Sequence, residues 1–198
     1  LVIVPDGSLH GVNFETLPVG PDRHYLIERA TISVAPALAL VDSRPSRRVA
    51  DSPAMLLVGD PEPSEGALEP LRYAGEEIDG IHSLFPGSAT VVQRGRAASP
   101  QAFAEASPGR FSLIHFAAHA TASATSPLDS SIELSTDVTG RFKLYARDVA
   151  DRALDADLVT ISACRGAGDR AYAGEGQVGL AWAFLRAGAS RVSAGLWD

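Results

Sequence analysis

The feature that most constrains this chain is the alternation of short apolar, β-branched runs with longer segments of helical periodicity. Because parallel strands are joined by crossover helices, this alternation is typical of an α/β fold with a largely parallel sheet. Seven runs are predicted as strands, at residues 1–5, 30–34, 55–58, 90–93, 113–117, 158–162 and 191–196.

Helical patterns lie between several of these runs. Residues 76–85 carry isoleucine and leucine at helical spacing before a proline that ends the pattern. Residues 101–105 and 145–152 predict shorter helices. Residues 177–187 are apolar on most sides and predict a nearly buried helix, with Gly188 as its left-handed C-cap.

Composition narrows the class of protein. The chain has 198 residues, of which 45% are hydrophobic, as one packed domain requires. It opens on Leu1 and stops at Asp198 in strand-like segments, so we expect a single domain, 1–198, cut at both ends from a longer chain.

A net charge of −7 disfavours nucleic-acid partners. No apolar run reaches the roughly 18 residues of a membrane span. A single cysteine excludes an intrachain disulfide, which favours the cytoplasm.

Two of the predicted strands run into side chains suited to acyl transfer. One leads to His119 and the other to Cys164. Sites in open α/β sheets lie outside the carboxyl ends of the strands, so adjacent parallel strands would bring this pair to one edge. A thiol needs a nearby base to take its proton, and imidazole is a suitable one. The glycine-rich residues 165–176 could direct backbone N–H groups toward an oxyanion.

Each of these features also has a structural interpretation. A single cysteine at the end of an apolar strand is more often a small hydrophobe than a nucleophile. His115 is predicted to be a packed, hydrogen-bonded residue of the core, and the glycines are equally compatible with a loop of no catalytic role. The two histidines have no further ligand cluster, and no Gly-Lys-Ser/Thr signature occurs, so neither a metal nor another cofactor is predicted.

The spacing of the candidate pair resembles that of caspases, whose signature is Gln-Ala-Cys-Arg-Gly with a histidine about 50 residues upstream. Here SACRG around Cys164 follows His119 by 45 residues (164 − 119). Further segments occur in order along the whole chain: VPDGSL at 4–9, FETLP at 14–18, LVGDP at 57–61, LRYA at 71–74, EEI at 76–78, IHFAAH at 114–119, DLVTISAC at 157–164, GEG at 174–176, GLA at 179–181, FL at 184–185, AGA at 187–189 and LW at 196–197. Together they resemble the CHAT domain, a caspase-like cysteine peptidase family of clan CD.

This resemblance implies a caspase-hemoglobinase-like fold, a three-layer α/β/α sandwich with a mostly parallel sheet. It implies a cysteine endopeptidase that acts through a thioester acyl-enzyme, with Cys164 as the nucleophile and His119 as its partner. The backbone N–H groups of Ala120 and Cys164 would form the oxyanion hole. A protein or peptide substrate and an associated helical region of tetratricopeptide repeats are further implications.

Two departures from the family pattern keep other interpretations open. The family usually has glycine after its catalytic histidine, and Ala120 would be strained if that position required a positive φ. The family also normally continues past the Leu-Trp strand. An inactive caspase-like module for interaction or signalling therefore stands beside the peptidase, as does another cysteine-dependent acyltransferase or hydrolase with the same dyad.

A substrate pocket near Cys164 would select the residue on the acyl side of the scissile bond. Asp169, Glu175 and Asp198 are candidates for its lining, which would favour a basic residue. Acidic residues of an exposed loop are more often simply solvated.

Overall fold

The computed structural model describes residues 1–35, 38, 53–63, 69–163, 170–172 and 176–195. Within these ranges the α-helices are α1 (Ala74–Leu84), α2 (Pro100–Glu105), α3 (Ala146–Ala150) and α4 (Leu180–Ala187). The strands are β1 (Val2–Ile3), β2 (Pro18–Val19), β3 (His24–Tyr25), β4 (Ser33–Val34), β5 (Met55–Gly59), β6 (Thr90–Arg94), β7 (Leu113–Ala117), β8 (Ala120–Thr121), β9 (Ser131–Glu133), β10 (Lys143–Tyr145), β11 (Leu158–Ser162), β12 (Arg170–Tyr172), β13 (Gly176–Val178) and β14 (Val192–Ala194).

The centre of the molecule is a five-stranded parallel sheet in the order β14–β11–β7–β5–β6. All five strands correspond to predicted runs, and the predictions at 113–117 and 158–162 are confirmed to the residue. β7 occupies the middle of the sheet, between β5 and β11. No helix in the described part of the chain is long and apolar enough to cross a membrane.

Side chains of the sheet alternate between its two faces. On one face, Ile114 and Phe116 of β7 belong to the larger hydrophobic core, which also contains side chains of α2, α3 and α4. On the opposite face, Met55 and Leu57 of β5 pack against Ile78 of α1. Helices therefore cover both faces, which is the predicted three-layer α/β/α arrangement.

Three phenylalanines tie the central strand to the helices of the larger core. Phe116 of β7 lies 5.5 Å, between ring centroids, from both Phe103 of α2 and Phe184 of α4. All three side chains are fully buried. Tilted aromatic pairs of this kind contribute about 0.5–1.5 kcal/mol each beyond the burial of their area. The packing holds β7 in place one residue before its end.

Several short strands lie outside the central sheet. β8, β9 and β10 form an antiparallel sheet directly after β7, while β2–β3 and β12–β13 are antiparallel pairs. The runs predicted at 1–5 and 30–34 shorten to β1 and β4, which pair with each other in parallel. These two runs were therefore correctly predicted as strands, but they do not extend the central sheet.

The helix predicted over 177–187 is wrong at its amino-terminal end. Gly176–Val178 pairs with β12 as a strand, so its backbone groups enter a ladder and α4 begins only at Leu180. The predicted cap is confirmed, because Gly188 adopts the left-handed conformation with φ 119°.

Close packing at the end of β5 predicts a cost for any side chain there. A Cβ added to Gly59 would lie 2.7 Å from the carbonyl oxygen and 2.9 Å from the Cβ of Ala117 in β7. Because neither strand can move without disturbing the ladder, we expect Gly59→Ala to lower the free energy of unfolding by about 1–3 kcal/mol. Urea denaturation measures this change.

Gly80→Ala in α1 is the matched control, since a Cβ at that position would meet nothing within 4 Å. This substitution should raise the free energy of unfolding by about 0.4–1 kcal/mol by restricting the unfolded chain. A Gly59→Ala variant as stable as the wild type would contradict the close strand packing.

Candidate active site at the carboxyl edge of the sheet

The carboxyl ends of β7 and β11 lie side by side. The two strands pair in register as far as Ala117, which lies opposite Ser162. His119 follows Ala117 by two residues, and Cys164 follows Ser162 by two residues in the sequence. The prediction that the two strands end at one edge of the sheet is therefore confirmed. Four predicted site residues lie outside the described ranges: Cys164, Asp169, Glu175 and Asp198.

A backbone carbonyl orients the half-buried ring of His119. Its Nε2 atom lies 2.7 Å from the carbonyl oxygen of Glu69. A carbonyl oxygen only accepts hydrogen bonds, so Nε2 carries the hydrogen and donates it. In the neutral ring, Nδ1 then holds the lone pair. The contact thus selects the tautomer in which Nδ1 is able to accept a proton.

Ala120 adopts an ordinary strand conformation in β8. Among the described non-glycine residues, a positive φ occurs only at Arg23, Asp60 and Ser107. The strain considered for an alanine at this position is therefore absent.

The position of Ala120 in its ladder also directs its N–H group. The His119 carbonyl accepts the N–H of Glu133 at 2.8 Å, so the next pair, Ala120 and Ile132, is a non-hydrogen-bonded pair. The N–H of Ala120 consequently points away from β9. Among the described strands, β8 pairs only with β9 in this sheet, so this group lies on the other side of β8.

His119 also lines a small crevice of about 20 Å³. Three carboxylates share this lining, and each has a cationic partner. The contacts are Asp60 Oδ2 to Arg94 Nε at 2.7 Å, Glu62 Oε2 to Arg96 Nε at 2.9 Å and Glu133 Oε1 to Lys143 Nζ at 3.5 Å. The part of the chain that the structure describes contains no group of three or more His, Cys, Asp or Glu side chains suited to a metal ion.

His115 belongs to a separate polar cluster on the α1 face of the sheet. Its buried ring contacts the Thr160 hydroxyl through Nδ1, and its Nε2 lies 3.1 Å from Oε1 of Glu77. The other oxygen of Glu77 accepts a hydrogen bond of 3.1 Å from Ser162 Oγ. His115 is therefore packed and has polar partners, as the sequence predicts.

Burial lowers the pKa of His115, and the nearby Glu77 carboxylate offsets only part of this effect. The imidazole is therefore neutral at neutral pH. Together with Thr160 and Ser162, these two residues line a groove of about 600 Å³ beside α1, whose remaining walls are mainly apolar.

Sequence reasoning missed the partners of both histidines. The Glu69 carbonyl is a main-chain group, which leaves no residue-specific signal. Glu77 did leave a signal, because it shares its helix face with the apolar positions Ala74, Ile78 and Ile81. A carboxylate on the inward face of an amphipathic helix points to a polar partner in the sheet beneath it.

The buried imidazole of His115 predicts a pH-dependent loss of stability. Its pKa is lower in the folded protein than the ordinary value of 6.5, so the unfolded chain binds the proton more tightly. The free energy of unfolding should therefore fall as the pH drops below about 6.5. Between about pH 7.5 and pH 5.5, the urea midpoint of the wild type should fall further than that of His115→Gln. An equal fall in both proteins would contradict this assignment.

Because the backbone of Ala120 is unstrained, replacing this residue with glycine should not stabilise the protein. Without strain to relieve, Ala120→Gly should lower the free energy of unfolding by about 0.5–1 kcal/mol, because glycine loses more conformational entropy on folding. Thermal unfolding of the two proteins tests this. A higher Tm for the glycine variant would reveal strain and overturn the expectation.

Comparison with known proteins agrees with this architecture. No curated protein matches the chain. The family model for the CHAT domain matches residues 1–198. This match and the five-stranded parallel sheet flanked by helices indicate a caspase-like fold. The chain belongs to the CHAT domain family.

Proposed function

We propose that this chain is a cysteine endopeptidase that cleaves protein substrates through a dyad of Cys164 and His119. The observation that carries the proposal is the register of β7 and β11, in which each dyad residue follows a paired strand residue by two positions. Membership of a peptidase-related family supports hydrolysis of a peptide bond. The contact between His119 and the Glu69 carbonyl supports Nδ1 as the base.

The proposed reaction has two steps. Cys164 Sγ attacks the scissile carbonyl carbon while His119 Nδ1 takes the thiol proton, which then passes to the leaving amine as the C–N bond breaks. The thioester that results is hydrolysed when His119 takes a proton from water and the oxygen attacks the thioester carbon. The proton returns to the departing sulfur, which restores the thiol. No acidic third residue is required, since the Glu69 carbonyl orients the ring.

We assign the oxyanion hole to the backbone N–H groups of Ala120 and Cys164. The direction of the Ala120 N–H, away from β9, supports this role. Removal of one oxyanion donor costs about 2.7–4 kcal/mol of transition-state stabilisation in other hydrolases. The unstrained backbone of Ala120 also removes one argument for the alternative, an inactive interaction module.

We further propose that the peptidase prefers a basic residue on the acyl side of the scissile bond. The three carboxylates that line the crevice with His119 are each paired with Arg or Lys, so they contribute little unbalanced negative charge. The preference would therefore depend on Asp169, Glu175 and Asp198. Association with a helical-repeat region and a cytoplasmic location remain predictions from the sequence.

The dyad predicts loss of cleavage when either member is removed. In the full-length protein, presented with a diverse peptide library, Cys164→Ala and His119→Ala should each lower kcat/KM at least about a thousandfold. Mass spectrometry of the products would also identify the residue on the acyl side of each cleaved bond.

His82→Ala is the matched control for the second variant, since His82 is an exposed histidine on α1. It should cleave at the wild-type rate. If the wild type cuts no peptide in the presence of its natural partners, and a thiol-directed probe does not label Cys164, the interaction module replaces the peptidase as the better interpretation.

A further inference from the structure

Glu77 contacts both strands that lead to the proposed dyad. It lies on the inward face of α1, and its side chain is 37% exposed. Oε1 lies 3.1 Å from Nε2 of His115 on β7, and Oε2 accepts a hydrogen bond of 3.1 Å from Ser162 on β11. One carboxylate therefore joins a helix to two adjacent strands, close to the edge where those strands end.

The strand contacts of Glu77 lie near the dyad in the sequence. Ser162 is the last residue of β11 and precedes Cys164 by two positions, and His115 precedes His119 by four. The ring of His115 also contacts the Thr160 hydroxyl, which is directly opposite in the parallel register. These contacts form a chain of polar groups across β7 and β11 on the α1 face.

Glu77 is also connected to His119 through its own helix, α1. α1 begins at Ala74, five residues after Glu69, whose carbonyl accepts the Nε2 hydrogen of His119. Ala74 and Ile78 of α1 are buried against the same face of the sheet. The position of α1 on the sheet therefore sets the position of the carbonyl that orients His119.

We propose that Glu77 is a positioning residue that sets the relative placement of the two dyad residues, an inference that rests on the proposed function. Through Ser162 it holds the strand that leads to Cys164, and through α1 it holds the segment that orients His119. Its loss would let the two groups separate while the core of the sheet stays intact. A displacement of 1 Å between reacting groups lowers a catalytic rate by up to about a hundredfold. We therefore expect loss of the Glu77 carboxylate to lower kcat.

The test compares Glu77→Ala, Glu77→Gln and Ser162→Ala in the full-length protein. Glu77→Ala should lower kcat roughly tenfold to a hundredfold with KM changed less than about twofold. Glu77→Gln retains an acceptor for Ser162 and should recover part of this loss. Ser162→Ala removes only the contact to β11 and should give a smaller fall. The rate of Cys164 alkylation by iodoacetamide should fall in the same order.

Glu76→Ala is the matched control, because Glu76 is the neighbouring, exposed glutamate of α1. It should leave kcat and the alkylation rate unchanged. Equal kcat and equal alkylation rates for the wild type and the folded Glu77 variants would overturn the inference. If Glu77→Ala does not fold, the kcat values and alkylation rates of Glu77→Gln and Ser162→Ala are compared with those of the wild type, and equal values again overturn the inference.

The two proposals fail differently in this experiment. If the wild type cleaves peptides and its kcat and alkylation rate equal those of its Glu77 variants, the positioning role alone is overturned. A wild type that cleaves nothing overturns the proposed peptidase, while the alkylation rates of Cys164 still decide whether Glu77 positions the thiol.

Discussion

The parallel pairing of β7 with β11 is the constraint on which the rest of the site depends. Side chains of a strand alternate between faces, so a slip of one residue would send the polar side chains of Thr160 and Ser162 into the phenylalanine core. Burial of the opposite face of β11, which carries Val159 and Ile161, therefore specifies the register strongly. Because Ala117 and Ser162 end the pairing opposite each other, the segments that follow them start from the same edge. Core packing thus determines the geometry of the reactive edge.

The residues directly after β5 are fixed to the same edge mainly through the backbone of Asp60. Its N–H donates to the Ala117 carbonyl at 3.1 Å, and its own carbonyl accepts from Gly95 at 3.0 Å. Arg94 binds its side chain, and the residue keeps a positive φ of 49°. Exposed ion pairs stabilise a protein by only about 0–1 kcal/mol. We therefore attribute to the Asp60–Arg94 pair a role in shaping the crevice beside His119 and not in overall stability.

The sequence predicted the parts of the fold that local pattern decides. The five central strands are short apolar runs bounded by turn residues, and His119 was identifiable because it follows such a run. The start of α4 was not predictable, because residues 177–178 suit a strand as well as a helix and their pairing with β12 decides between them. The conformation of Ala120 depends on its φ, which residue type does not specify. The Glu69 contact joins residues 50 positions apart through a main-chain atom.

That main-chain contact has an evolutionary consequence. An acidic side chain that orients a histidine is lost in a single substitution, whereas every amino acid at position 69 presents the same carbonyl oxygen to His119. Selection should therefore act on the backbone path from residue 69 to the start of α1, and not on which amino acid occupies position 69. Insertions or deletions between position 69 and the start of α1 would displace the oxygen, while point mutations there would leave it in place. The same few residues are thus free to vary in type but constrained in number.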